Sequence, residues 1–164
     1  LLLFMIPFSI IGVAWGHYFH DFPINVLSAL GIIALIGIMV NDGLVLIGKL
    51  NGSLKAGVKF EEALLDAGKS RFRAIFLTSI TTIAGLAPLL LEKSRQAQFL
   101  KPMAISISYG IGVATILTLL MLPLLLSISN TIKTKAAWIR TGKEPSREEV
   151  ERAIKELKEQ DEAH

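Results

Sequence analysis

The first 48 residues contain neither lysine nor arginine, and this constrains the fold more than any other feature of the sequence. A soluble domain places charge every few residues on each exposed face, whereas a long apolar stretch without cations is suited to lipid. The charge is partitioned along the rest of the chain as well. Residues 129–164 carry 16 of the 31 charged side chains, and the 128 residues before them carry 15. The overall values, 164 residues with 52% apolar, 19% charged and net charge +3, average over two unlike regions. Cysteine is absent, which excludes disulfide frameworks and cysteine-ligated metal sites. Basic residues alternate with acids or flank apolar spans, so no basic stripe exists to follow a phosphate backbone, and a nucleic-acid partner is not expected. The chain opens at Leu1 inside an apolar run, without a basic n-region or a small-residue cleavage site, and reads as a piece of a longer protein.

Crossing a bilayer takes about 20 largely apolar residues in a helix. Four stretches qualify: Leu1 to Phe19, Ile24 to Ile47, Ala74 to Leu91 and Pro102 to Ile128. The expected fold is therefore all-α, an integral membrane bundle of four transmembrane helices over residues 1–128, followed by a charged tail over 129–164. The short connections place Pro23 and Pro102 at or just before helix starts, where a missing N–H costs little. Lys and Arg set the orientation, because cytoplasmic loops carry the excess. The segment Gly48 to Arg73 and the tail together hold 14 of these cations, against 3 in the two short loops. The long loop and the tail are thus expected on the cytoplasmic side. Within that loop, Phe60, Leu64 and Ala67 fall at helical spacing and suggest a short interfacial helix over Phe60 to Ala67.

The tail is expected to end in a solvated amphipathic helix over 146–162. Ser146 precedes Glu149 at capping-box spacing, and Val150, Ala153, Ile154 and Leu157 form one narrow apolar stripe. Pairs such as Arg147 with Glu151 and Arg152 with Glu156 add the i,i+4 support of a surface helix.

Every charged residue lies in a loop, a helix end or the tail except Asp42. It sits five residues before the end of the second span, roughly 8 Å inside at 1.5 Å per residue. An ionised carboxylate at such depth costs about 2.5–3.5 kcal/mol, so it calls for a partner, a water-filled cavity or proton uptake. The bland alternative is a pair with Lys49, seven residues on and on the same face. The third span adds a stripe of Arg71, Ala74, Thr78, Thr81, Thr82 and Gly85 at helical spacing. A single membrane threonine usually bonds its own i−4 carbonyl, but three hydroxyls on one face suit a polar bundle interior. Gly37 with Ala34, Asn41 and Gly48, Gly85 on the hydroxyl stripe, and Gly112 with Ser108 and Thr115 are expected to mark close helix packing.

Three stretches resemble a known family as an ordered set. They are Gly37-Ile38-Met39-Val40-Asn41-Asp42-Gly43-Leu44-Val45-Leu46, then Arg71-Phe72-Arg73-Ala74-Ile75-Phe76-Leu77-Thr78-Ser79, then Ala97-Gln98-Phe99-Leu100-Lys101-Pro102-Met103-Ala104. Together they are similar to the C-terminal membrane helices, nine to twelve, of resistance-nodulation-division (RND) efflux permeases, over Leu1 to about Leu126. The resemblance implies a proton-driven antiporter of the bacterial inner membrane with twelve helices. It also implies a homotrimer whose periplasmic domains carry substrate, such as hydrophobic or amphiphilic compounds. Its implied partners are membrane lipid, the transporter's N-terminal half, a periplasmic adaptor and an outer-membrane channel.

The family's relay joins an aspartate pair on the fourth helix to a polar group on the tenth and a hydroxyl on the eleventh. By resemblance, these positions fall on Asn41 and Asp42 and on Thr78, with Arg71 as an associated cation. The best-known multidrug pumps carry lysine where Asn41 stands and asparagine where Asp42 stands. The charge balance here therefore differs, leaving like charges to share protons. A non-transporting assembly module and an RND-type lipid exporter are the alternatives. An enzyme or a resident cofactor is not expected, since His17, His20 and His164 lack carboxylate or cysteine company beyond Asp21.

Overall fold

The computed structural model describes residues 2–162. They form five helices: α1 (Leu2–His20), α2 (Val26–Lys55), α3 (Phe60–Leu91), α4 (Arg95–Thr141) and α5 (Arg152–Glu162). The first four are each long and apolar enough to cross a membrane. Helix α4 is the hub, packing against α1, α2 and α3.

Each helix ends where backbone groups find caps, and several of these points differ from the polarity boundaries in the sequence. Asn25 and Ser28 close a reciprocal capping box, so α2 starts at Val26. It then continues two turns past Ile47 to Lys55, ending before Gly57, whose φ of 83° is a left-handed conformation suited to glycine. The expected interfacial helix over Phe60 to Ala67 is not a separate element, because it is the start of α3. Nothing between Ala67 and Ala74 breaks a helix. The polar residues there mark a change of surroundings along one continuous rod.

The third connection is also shorter than expected. Ser94 caps α4 by accepting from the Ala97 amide, which leaves Pro102 inside the helix instead of at its start. With 47 residues α4 is about 70 Å long, more than twice a hydrocarbon core of about 30 Å. It stops at Gly142, whose φ of 68° forms a left-handed cap.

The tail is docked on the bundle, and its helix starts at Arg152 and not at Ser146. The Ser146–Glu149 box forms, but residues 147–150 make turns because they reach other elements. Glu148 accepts from the Phe60 amide at 2.8 Å, and Arg147 pairs with Glu61. Buried Asn130 on α4 donates to the Arg147 carbonyl and to Glu151 at 2.7 and 2.8 Å. Ile154 packs on a small core of Leu50, Leu54, Phe60, Ala63 and Ala67. Apolar burial and these polar contacts together hold the segment against the ends of α2, α3 and α4.

The glycines in close contact are not those singled out from the sequence. A Cβ on Gly12 would lie 2.8 Å from the Tyr109 carbonyl, one on Gly16 2.6 Å from the Tyr109 ring, and one on Gly31 2.8 Å from the Met103 carbonyl. Gly37 and Gly85 have no such neighbour within 4 Å, and Gly112 meets only Ile83 at 3.9 Å. Small residues permit close approach but do not select a partner. The faces bearing Gly37 and Gly85 are open in this chain.

Candidate functional site

Asn41 and Asp42 lie on α2, about one turn before Val45. Leu35, Met39, Gly43 and Leu46 face the core, Asn41 is exposed, and Asp42 is half-buried between these two environments. Among the described residues no ion pair reaches Asp42. Lys49, the bland partner considered from the sequence, pairs with Asp66 on α3 at 3.5 Å.

One turn from Asp42, Val45 enters the wall of a groove of about 530 Å³ between α2 and α3. Gly48, Lys49, Gly52 and Ser53 line its α2 side, and Arg71 enters from α3. The Arg71 Nε is buried without a hydrogen-bond partner. Glycines on α2 provide the room for this side chain to approach. The two helices run antiparallel here, and seven residues separate both Asp42 from Lys49 and Thr78 from Arg71. At 1.5 Å per residue, each of these separations is about 10 Å along its own helix.

The three threonines behave as single membrane threonines usually do. Thr78 donates to the Ala74 carbonyl at 2.9 Å, Thr81 to Leu77 and Thr78, and Thr82 to Thr78. Each hydroxyl proton is thus used within α3, while the oxygens keep lone pairs for an outside donor. Thr78 and Thr81 are exposed, as are Ala34, Gly37, Asn41 and Gly48 on α2. The structure brings Arg71 together with α2, and it leaves the rest of both stripes without a covering helix in this chain. Ser79 and Thr115 hydrogen-bond across the buried α3–α4 contact, a pairing that neither span revealed alone.

Sequence reasoning also missed a polar cluster at the opposite end of the bundle. His17 is 4% exposed; its Nδ1 lies 3.0 Å from the Phe22 carbonyl and its Nε2 3.0 Å from the Ser106 hydroxyl. His20 Nε2 lies 3.0 Å from the Tyr109 hydroxyl. The available signal was two histidines spaced to share a face of an otherwise apolar helix, though their partners are 89 residues away.

Residues 1–129 match the model of the AcrB/AcrD/AcrF family. The swarming motility protein SwrC of Bacillus subtilis is 34% identical over 82% of this chain, and the match covers 13% of SwrC. The nickel-cobalt-cadmium resistance protein NccA of Alcaligenes xylosoxydans xylosoxydans is 30% identical over 74% of this chain and 11% of its own length. A crystal structure of a heavy metal efflux pump superposes with TM-score 0.70 at 28% identity, covering 77% of this chain and 13% of that one. The chain thus spans about an eighth of the length of the relatives it matches. With an ordered set of motifs, four helices suited to a membrane and a family match over most of its length, the chain belongs to the AcrB/AcrD/AcrF family of RND permeases.

Proposed function

We propose that the chain serves a proton-driven efflux permease, as helices nine to twelve of its membrane domain, and contributes half of the proton pathway. Asp42 is the titrating carboxylate or its direct partner, Asn41 orients it, Thr78 relays through its hydroxyl oxygen, and Arg71 is the cation at the cytoplasmic mouth. The observation that carries this reading is the open polar flank. A half-buried carboxylate without a counter-ion, an exposed asparagine and an outward hydroxyl suit facing polar groups from another part of the protein. Proton binding on that flank would bias helix packing between two arrangements.

In this proposal the 14-to-3 cation bias sets the tail in the cytoplasm of a bacterial inner membrane. Periplasmic domains, a trimeric assembly, an adaptor and an outer-membrane channel complete the pump. The cargo is a hydrophobic or amphiphilic compound. A second reading, export of divalent metal cations, is favoured by the likeness to NccA and to the solved heavy metal pump. Asp42→Asn in the complete transporter should abolish proton-coupled export while assembly is retained. Normal export by that variant would sink the assignment. Dye efflux and metal tolerance in the same strains separate the two cargoes.

A further inference from the structure

We infer that residues 147–162 form a releasable strap, which ties the α2–α3 hairpin to α4 and holds the groove around Arg71 at its present width. The inference concerns a mechanical restraint and does not depend on the proton assignment. The two halves of the strap grip different helices. Residues 147–151 hold α3 and α4. Glu148 caps the Phe60 amide, Arg147 pairs with Glu61, and Glu151 accepts from buried Asn130 and from Lys133 at 2.8 and 3.0 Å. Helix α5 then lies along α2, where Glu156 reaches Lys55 at 4.0 Å and Ile154 packs against the cluster that contains Leu50 and Leu54.

Such a tie matters because the hairpin's own contact near its turn is small. Leu50 and Leu54 of α2 meet Phe60, Ala63 and Ala67 of α3, and Leu126 of α4 and Ile154 of the strap complete the cluster. Beside it the helices flank the groove of about 530 Å³ that Arg71 enters, with Lys49–Asp66 the one ion pair between them among the described residues. A change in helix angle about the Gly57 turn alters that groove, and the strap opposes it by holding both arms. The same contacts make the strap releasable. Its ion pairs to the bundle are Arg147–Glu61, Glu151–Lys133 and Glu156–Lys55, and five of these six side chains are at least 44% exposed. Exposed pairs are individually weak and are screened by salt. The strap hangs from α4 by the segment after the Gly142 cap, so it can leave without unwinding that helix.

The test places spin labels on this chain in nanodiscs through Leu44→Cys on α2 and Ser70→Cys on α3, since the sequence has no cysteine of its own. Both positions are exposed and lie farther along their helices from Gly57 than the Lys49–Asp66 pair, so they read the hairpin angle. With the strap intact, one narrow distance distribution is expected. Ending the chain at Thr141 should broaden it toward longer distances, and Glu148→Lys with Glu151→Lys should do the same. Raised salt should move the unmodified strap partway in that direction. A distribution unchanged by truncation would overturn the proposal and leave the tail as a cover for an apolar patch. A second label pair, Glu62→Cys with Glu159→Cys, reads whether the double substitution frees the tail. A tail that stays docked would show that the strap is not releasable, and a freed tail with an unchanged hairpin would show that it restrains nothing. Either result overturns the proposal. The double variant keeps α1 to α4 whole, so its result holds even if the shortened chain folds poorly.

Discussion

The amide N–H of Phe60 donates to the Glu148 carboxylate at 2.8 Å, across 88 residues of sequence. Phe60 is the first residue of α3, where amides lack intrahelical acceptors, so a carboxylate from the tail caps the helix. This bond is the main reason that the Glu148 carboxyl is held below the usual carboxylate range, with further contributions from its own amide and Ser146. A lowered folded-state value stabilises the docked tail above the unfolded value and loses that effect as pH falls through the folded one. The dock should therefore weaken below about pH 4.5, the ordinary glutamate value, and be intact at neutral pH. Glu148→Gln should remove the pH dependence while keeping an acceptor for the Phe60 amide, whereas Glu148→Ala should also lose the cap, at a cost of about 1 kcal/mol. Hydrogen exchange at the amides of Phe60 and Glu61 reads both effects.

Gly31 and Gly37 form a matched pair for testing which face of α2 is packed. Gly31→Ala forces a methyl to 2.8 Å from the Met103 carbonyl and should destabilise by about 1–3 kcal/mol through overpacking. Gly37→Ala meets nothing within 4 Å in this chain and should be neutral or gain up to about 1 kcal/mol of helix propensity. Unfolding in micelles compares the two. If Gly37→Ala proves as damaging as Gly31→Ala, the open face has been misidentified.

Thr78→Val separates a relay role from a packing role. The Thr78 hydroxyl bonds only its own helix, to Ala74, so losing it should change stability by less than about 0.5 kcal/mol. Export should nevertheless fall if the oxygen relays protons, and Thr78→Ser should restore it. Full export by Thr78→Val would remove Thr78 from the pathway and leave Asp42 to be judged separately.

His17 carries a constraint on its tautomer. The Phe22 carbonyl can only accept, so neutral His17 holds its proton on Nδ1, and Nε2 accepts from the Ser106 hydroxyl. That hydroxyl is also 3.0 Å from the Pro102 carbonyl and cannot donate its one proton to both at once. Long-range nitrogen–proton correlation spectra should show the Nδ1–H form. Ser106→Ala should cost about 1–3 kcal/mol by leaving Nε2 buried without a partner, measured as a loss of unfolding free energy.

Asp42 and Arg71 stand out in the sequence because each breaks a local pattern, a lone acid in a span and a cation at the base of a hydroxyl stripe. Helix limits were harder to read. The polar run from Gly68 to Arg73 looked like the gap between two helices, yet α3 passes through it unbroken, because hydrogen bonding and caps end a helix while polarity only records its surroundings. For Gly37 and Gly85 the sequence reveals that the residues are small but not what stands opposite them, and within this chain nothing lies within 4 Å of a Cβ at either.

By itself the sequence determined that the chain makes four membrane-suited helices with most cations at one end, because transfer to lipid depends on composition over about 20 residues. Tertiary structure alone decided that Glu148 caps Phe60, that His17 meets Ser106 and that Arg71 enters the α2 groove. Those contacts depend on helix rotation and on the residues brought opposite one another, and hydropathy carries no record of either.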